Sequence, residues 1–153
     1  MSVSNRPTSV SLVGWIVIAL SAFGIYGAIS GAVMLETGMY DKQMEEAKKI
    51  PGMAELIKDM PRPTIAMYVA TLIATAGQLA CGVMMLKGKS LGRIGYVVLS
   101  IAAFAIAVVG GVPILFMIPS LVVQAIIIIC AFLPSANQYY AAQGRGDEVL
   151  ELR

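Results

Sequence analysis

Four long apolar runs, free of charged side chains in their interiors, dominate the sequence. They cover residues 10–35, 64–86, 91–112 and 113–133. A helix needs about 20 mostly apolar residues to cross a hydrocarbon core of about 30 Å. Because no water reaches that core, each backbone polar group must find its partner inside the protein, which a helix achieves alone. The sequence therefore predicts an all-α integral membrane protein, a bundle of four transmembrane helices forming a single membrane domain.

The composition excludes several other classes of protein. Hydrophobic residues make up 58% of the 153 residues and charged residues 13%, against roughly 45–50% and 25% in soluble domains. The net charge of +2 gives no strong field for a polyanion, so we expect no nucleic-acid partner. The sequence has no histidine, which excludes histidine-ligated haem and a histidine general base. We expect no cofactor and no metal, and membrane lipids as the first partners.

The segment 36–63 is the only substantial polar stretch between spans. Its residues Met53, Leu56, Ile57 and Met60 follow the i, i+3, i+4, i+7 spacing of one helical face. Acidic and basic residues three and four positions apart within 41–49 favour a second short helix. We predict a short amphipathic helical cap lying on the membrane surface; the alternative is a solvated loop with some helix.

Basic residues predict the orientation of the chain. The short loop 87–90 and the start of the third span carry Lys87, Lys89 and Arg93 without an acidic residue. Six basic residues fall in the N-terminal segment 1–9, this basic turn and the tail 134–153, against five in the cap segment. The positive-inside rule then places both termini in the cytoplasm and the cap outside it. The same three basic side chains are candidates for binding anionic lipid headgroups.

The last two spans are joined by a connection too short for anything but antiparallel neighbours, Gly110 to Pro113. Pro119 lies inside the fourth span. The stretch from Ser120 to Leu133 is too short to cross a membrane alone, so we predict a continuous helix, kinked near Pro119. The alternative is a partly re-entrant start to this span.

Two glutamines are the strongest polar groups inside the spans. Gln78 and Gln124 both fall near mid-span, where they either line a polar site or pore, or hold helices together through hydrogen bonds. Small residues that let helix backbones approach closely occur in the first two spans: Gly24, Gly27, Gly31 and Gly77. Such positions either seal the bundle or form an interface with a partner.

Three segments resemble a loose group of small bacterial four-span membrane proteins. They are the opening RPTSVSLVGW (6–15), the basic turn LKGKSLGR (86–93) and the closing segment FLPSANQYY (132–140). The resemblance covers the whole topology and implies a bacterial cytoplasmic (inner) membrane. It implies no activity and assigns no site residue.

These patterns favour a function without catalysis, because no nucleophile and base pair or metal-ligand set is visible. We expect a small accessory or scaffolding subunit that packs against a larger bacterial inner-membrane complex. The alternative is a homo-oligomeric channel or transporter for a lipid or small neutral solute, with Gln78 and Gln124 lining the path. An enzyme acting on a lipid-soluble substrate ranks last.

Overall fold

The computed structural model describes residues 7–58 and 60–151, and the side chains of 7–58 and 60–143. Over these residues the chain is entirely helical: α1 (Thr8–Glu36), α2 (Met39–Lys48), α3 (Met53–Ile57), α4 (Ile65–Leu86), α5 (Ser90–Val109), α6 (Ile114–Ala131) and α7 (Pro134–Glu151). The predicted fold class is confirmed, since α1, α4, α5 and α6 are long and apolar enough to span a membrane. Residues 1–6 of the predicted N-terminal segment and the last two of the predicted tail lie outside the described residues.

The most extensive packing in the bundle joins α1 to α4. A Cβ added to Gly14 would lie 2.5 Å from the Leu86 side chain, and one added to Gly24 would lie 2.8 Å from Thr75 Cγ2. One added to Gly31 would meet the ring of Tyr68. Because rising numbers on α1 meet falling numbers on α4, the two helices are antiparallel. The α1 contact positions Gly14, Gly24 and Gly31 share a repeat of three and four residues with the buried positions Val10, Val17, Ser21 and Ala28, the spacing of a coiled-coil seam.

Helix α5 lies against the other side of α4 at very short backbone distance. A Cβ on Gly92 would lie 2.7 Å from the Cys81 carbonyl oxygen and 2.8 Å from the Met85 nitrogen. The turn between the two helices is closed by Gly88, whose φ of +74° is a conformation that glycine adopts without strain. This turn holds α4 and α5 as a tight antiparallel hairpin.

Helix α6 closes the bundle by contacting α5 on one side and α1 on the other, more sparsely than α1 contacts α4. It runs without interruption through Pro119, while the predicted kink at this residue stays a prediction. Proline removes one backbone N–H from the helix ladder, and the next residue, Ser120, donates its hydroxyl to the Met117 carbonyl at 2.7 Å. The order around the bundle is therefore α1, α4, α5, α6.

The short helices α2 and α3 lie between α1 and α4 in the sequence, within the predicted cap segment. Each follows a glycine with positive φ, Gly38 at +71° and Gly52 at +82°. Exposed Arg62 donates to Asp41 at 2.8 Å, tying the start of α2 to the segment before α4. An exposed ion pair contributes at most about 1 kcal/mol. It therefore orients the cap more than it stabilises it.

The predicted apolar face of the cap is only partly turned inward. Ile57 is buried, Met53 and Met60 are half-buried, and Leu56 is exposed. A helix whose apolar residues rested only on lipid would leave all four uncovered by protein. Contact of the whole face with the membrane surface therefore remains a prediction, with Leu56 as its most available residue.

Candidate binding site

A cavity of about 450 Å³ lies inside the bundle, between α1, α4, α5 and α6. Its volume is within the range of about 300–1,000 Å³ typical of ligand pockets. Five of its ten lining residues carry a polar group: Ser21, Gln78, Tyr96, Ser120 and Gln124. The other half is small or apolar: Val17, Leu20, Gly24, Pro119 and Val123. We call this space the central cavity, and it brings together both glutamines that the sequence singled out.

Gln78 reaches the central cavity from near the middle of α4. Its Nε2 donates to Ser100 Oγ on α5 across 3.4 Å, which is long for a hydrogen bond. Ser100 is 3% exposed, so the pair lies within the protein. The contact joins α4 to α5, and it uses only one of the hydrogen-bonding positions of the amide.

Gln124 faces the same cavity from α6, and more of its hydrogen-bonding positions are unused than those of Gln78. Among the described residues none donates to or accepts from its side chain, although a primary amide offers two donors and an acceptor oxygen. Gln124 is half-buried, so its amide is not enclosed by protein, and in hydrocarbon an amide without a partner is costly. The central cavity therefore holds an amide that a bound molecule would stabilise.

Ser21 and Tyr96 form the deep wall of the cavity and are each 4% exposed. No sequence pattern marks these two residues as functional, and none marks Ser120, a third polar lining residue. Because a single Ser or Tyr is common in a membrane helix, neither draws notice alone. A useful signal would have been the coincidence of polar residues at similar depth in all four spans: Ser21, Gln78, Tyr96, Ser100, Ser120 and Gln124.

The cavity is closed on the side of the basic turn by a packed apolar cluster. Its buried members come from all four spans: Val13, Val17, Cys81, Met85, Tyr96, Ile127 and Ala131. Val17 and Met85 are each 1% exposed. A packed interior of this kind leaves no room for water, so the central cavity does not continue as a pore through this end of the bundle.

The first half of α7 covers the same end of the bundle. Its residues Ala136, Tyr139 and Tyr140 form a second buried cluster with Val10 at the start of α1. The Tyr140 hydroxyl donates to the Met85 carbonyl at 3.2 Å, which also accepts from the Gly88 backbone N–H at 3.0 Å. Within the predicted tail, residues 136–140 of α7 therefore contact the bundle.

The basic residues proposed to bind lipid headgroups differ in their surroundings. Lys87 and Lys89 are exposed on the turn between α4 and α5. Arg93 instead donates through Nη1 to the Ala131 carbonyl at 3.2 Å and to Asn137 Oδ1 at 2.5 Å. Headgroup binding stays a prediction for all three, and the lysines are the more accessible.

Two aromatic rings flank the Arg93 guanidinium. Its carbon lies 4.1 Å from the ring centre of Tyr140 and 4.9 Å from that of Phe132, within the range of a cation–π interaction. Asn137 in turn donates to the Phe132 carbonyl at 3.0 Å. Arg93 therefore joins the start of α5 to the end of α6 and to α7.

The four glycines predicted at helix interfaces fall into two groups. Gly24 and Gly31 pack against α4, and a Cβ on Gly77 would lie 2.8 Å from the Leu99 side chain on α5. Gly27 is exposed, and a Cβ added to it would meet nothing within 4 Å. Three of these positions serve contacts within the chain, while Gly27 is open to an external partner.

A smaller cavity of about 260 Å³ lies beneath the cap, lined in part by Tyr40, Met60, Tyr68 and Gly110. Burial raises the pKa of the Tyr40 hydroxyl above its ordinary value; Tyr68 and Asp41 add to this rise and Arg62 opposes it. Tyr40 is therefore neutral at physiological pH. This space is small and its polar groups are few, so the central cavity is the stronger candidate site.

Comparison with known proteins adds no assignment to this site. No protein-family model, curated protein or solved structure matches the chain.

Proposed function

We propose that this protein binds a small uncharged molecule within the membrane, as a carrier or transporter whose site is the central cavity. The observation that carries this proposal is that Gln124, whose amide has no hydrogen-bond partner among the described residues, faces a cavity shared with Gln78. An apolar pocket with a few converging polar groups is the usual form of a small-molecule site. A ligand that hydrogen-bonds to Gln124 would remove the cost of leaving the amide unpaired.

The lining residues support an uncharged ligand in particular. None of the described side chains that line the central cavity is Asp, Glu, Lys or Arg, and intramembrane charges normally mark the pathways of ions and protons. The hydroxyls of Ser21, Ser120 and Tyr96 have no carboxylate beside them in this lining, so nothing there would activate a nucleophile. Binding and release, without catalysis, is the activity that these groups favour.

The test compares small molecules that co-purify with the wild-type protein and with Gln124→Leu, extracted from detergent and identified by mass spectrometry. We expect an uncharged compound enriched in the wild type and reduced about tenfold in the variant, as the loss of one to two membrane hydrogen bonds implies. Gln138→Leu is the matched control, because Gln138 is exposed on α7. An identical extract from wild type and Gln124→Leu would contradict the proposal.

A second candidate is the accessory or scaffolding subunit of a larger inner-membrane complex. Gly27 supports it, because this small residue lies on the outer face of α1 near exposed Phe23 and Tyr26. Small residues on an outer face allow another helix to pack closely. Native mass measurement in a gentle detergent would test it. Gly27→Ile should release a stoichiometric partner without changing the thermal stability of the 16.2 kDa chain. A species at a simple multiple of that mass, unchanged by Gly27→Ile, would contradict it.

We also propose a bacterial inner-membrane location, with both termini cytoplasmic and the cap on the opposite side. The exposed positions of Lys87 and Lys89 support this orientation, because basic residues in short loops are retained in the cytoplasm. The amphipathic cap would then rest at the outer surface.

A further inference from the structure

We infer that the ligand is an uncharged amphiphilic lipid, with its polar head in the central cavity and its hydrocarbon tail leaving sideways between α1 and α6. This inference rests on the proposed function and adds the class of ligand and its route. It follows from where the lining is exposed, from the closure of the cavity at the basic-turn end, and from the absence of charged residues among the described lining residues.

The exposure of the lining residues changes from one side of the cavity to the other. On the deep side Ser21 and Tyr96 are each 4% exposed. On the near side Leu20 of α1 is 45% exposed and Val123 of α6 is 41% exposed. We call the gap flanked by these two residues the α1–α6 opening. Because it lies in the middle of two membrane-spanning helices, it faces hydrocarbon and not water.

The gap lies between two sparsely packed helices, and neither glutamine lines the separate apolar groove of about 480 Å³ between α4 and α5. Along α1, the glycines that allow close approach are turned to α4, as Gly24 and Gly31 show. Helix α6 contains no glycine. Its contact with α1 is sparser than the contact between α4 and α1. Pro119 lines the cavity at this gap, and a proline inside a helix removes one ladder hydrogen bond. The seam between α1 and α6 is therefore the side from which a ligand enters the central cavity.

The route through the basic-turn end is blocked. Val17 and Met85 are fully packed there, and Tyr140 of α7 bonds to the Met85 carbonyl. A molecule reaching Gln78 and Gln124 from that end would have to displace both the apolar cluster and the first part of α7. A lipid already dissolved in the bilayer meets no such barrier at the α1–α6 opening.

The chemistry of the lining selects the head of the lipid. Its two amides and two serine hydroxyls supply both donors and acceptors, which complement hydroxyl and ester carbonyl groups. A phosphate head would enter without a cation, since none of the described lining residues is basic, and an unpaired charge within a membrane is costly. The cavity volume of about 450 Å³ suits a head with the beginning of its chains, and the opening lets the remaining tail stay in the bilayer. Diacylglycerol has these properties.

The experiment uses the full chain in lipid nanodiscs and two photoreactive probes with identical acyl chains. One is a diacylglycerol and the other a phosphatidic acid, each with a diazirine near the head. We expect the diacylglycerol probe to label α1 and α6 near Leu20 and Val123 about tenfold more than the phosphatidic acid, because the charged head is excluded. Labelling sites are located by peptide mass spectrometry.

Two variants narrow the opening and one control leaves it unchanged. Val123→Trp and Leu20→Trp each fill the gap from one side, and we expect either to reduce diacylglycerol labelling about tenfold. Val122→Trp is the matched control, because Val122 is 53% exposed on α6 and does not line the cavity. Using both sides of the gap keeps the test valid where one of the two tryptophan variants fails to fold.

The outcomes separate this inference from the proposed function. Equal labelling by both probes, or labelling that neither tryptophan variant reduces, would overturn the lipid and its route, while a co-purified molecule sensitive to Gln124→Leu would leave the proposed function standing. No co-purified molecule sensitive to Gln124→Leu, together with no labelling by diacylglycerol, would overturn both. Selective labelling that is lost in Val123→Trp and Leu20→Trp and kept in Val122→Trp would support the inference.

Discussion

The glycines of this chain show how much a single methyl group can matter in a membrane bundle. A Cβ on Gly92 would lie 2.7 Å from the Cys81 carbonyl oxygen, a backbone atom that cannot rotate away. We therefore expect Gly92→Ala to push α5 from α4 and to lower the free energy of unfolding by about 1–3 kcal/mol, the usual cost of overpacking. Thermal unfolding of the purified protein in detergent would measure it.

Gly27→Ala is the matched control for that substitution. A Cβ at Gly27 meets nothing within 4 Å, and alanine favours a helix over glycine by roughly 0.5–1 kcal/mol. We expect this variant to unfold at the same or a slightly higher temperature. Equal destabilisation by the two alanines would contradict the packing described for α4 and α5.

Arg93 is the other residue whose contacts reach several elements. We expect Arg93→Lys to lower the free energy of unfolding by about 1–3 kcal/mol, since a lysine keeps the charge but loses the planar group that lies over Tyr140 while bonding to Asn137. Backbone hydrogen exchange over residues 134–143 should rise together with this loss. Lys89→Ala, at an exposed position on the neighbouring turn, should change neither measurement. Unchanged exchange in Arg93→Lys would show that α7 docks without this arginine.

At the scale of the elements, the spans could be predicted because their signal lies in consecutive residues. A run of about 20 apolar residues is visible in the sequence itself, and the four long helices α1, α4, α5 and α6 make the all-helical bundle predictable. The signal for the turn between α4 and α5 also lies in consecutive residues. What joins one element to another is not local: Arg93 contacts Asn137, 44 positions away, and no spacing rule links two residues so far apart.

The central cavity was predictable in part for the same reason. Gln78 and Gln124 are conspicuous because amides are costly in apolar spans. Whether they bond to each other, to backbone or to nothing depends on how far α4 stands from α6, and that distance follows from the packing of all four helices. The absence of a described partner for Gln124, which carries the functional proposal, could not be read from the sequence.

One of the hydrogen bonds that hold α7 can be removed with little change in the shape of the side chain. Tyr140→Phe deletes the hydroxyl that donates to Met85 but keeps the ring beside Arg93. We expect a loss of about 0.5–1.5 kcal/mol in the free energy of unfolding, the net value of a typical hydrogen bond. Thermal unfolding measures it, with Tyr26→Phe as control because Tyr26 is 71% exposed on α1. Equal effects of the two substitutions would contradict a specific role for the Tyr140 hydroxyl.

At the scale of the whole molecule, the orientation in the membrane depends on a small difference in charge. Six basic residues lie on the side proposed to be cytoplasmic and five in the cap segment. Replacing Lys87 and Lys89 by glutamine leaves four against five, so the bias that retains the α4–α5 turn in the cytoplasm is lost. We expect part of the Lys87→Gln, Lys89→Gln population to insert with the opposite orientation.

The measurement uses a cysteine placed at Gln43, which is exposed on α2 and uncharged. A membrane-impermeant maleimide added to intact cells should label Gln43→Cys in the parent chain and label a smaller fraction after the two lysines are removed. Replacing Lys48 and Lys49 of the cap by glutamine removes the same charge from the other side, leaving six against three, and should keep labelling complete. Because both double variants lose two positive charges, only the side from which they are lost differs. Equal labelling of the two would show that apolar packing, and not loop charge, sets the orientation of this bundle.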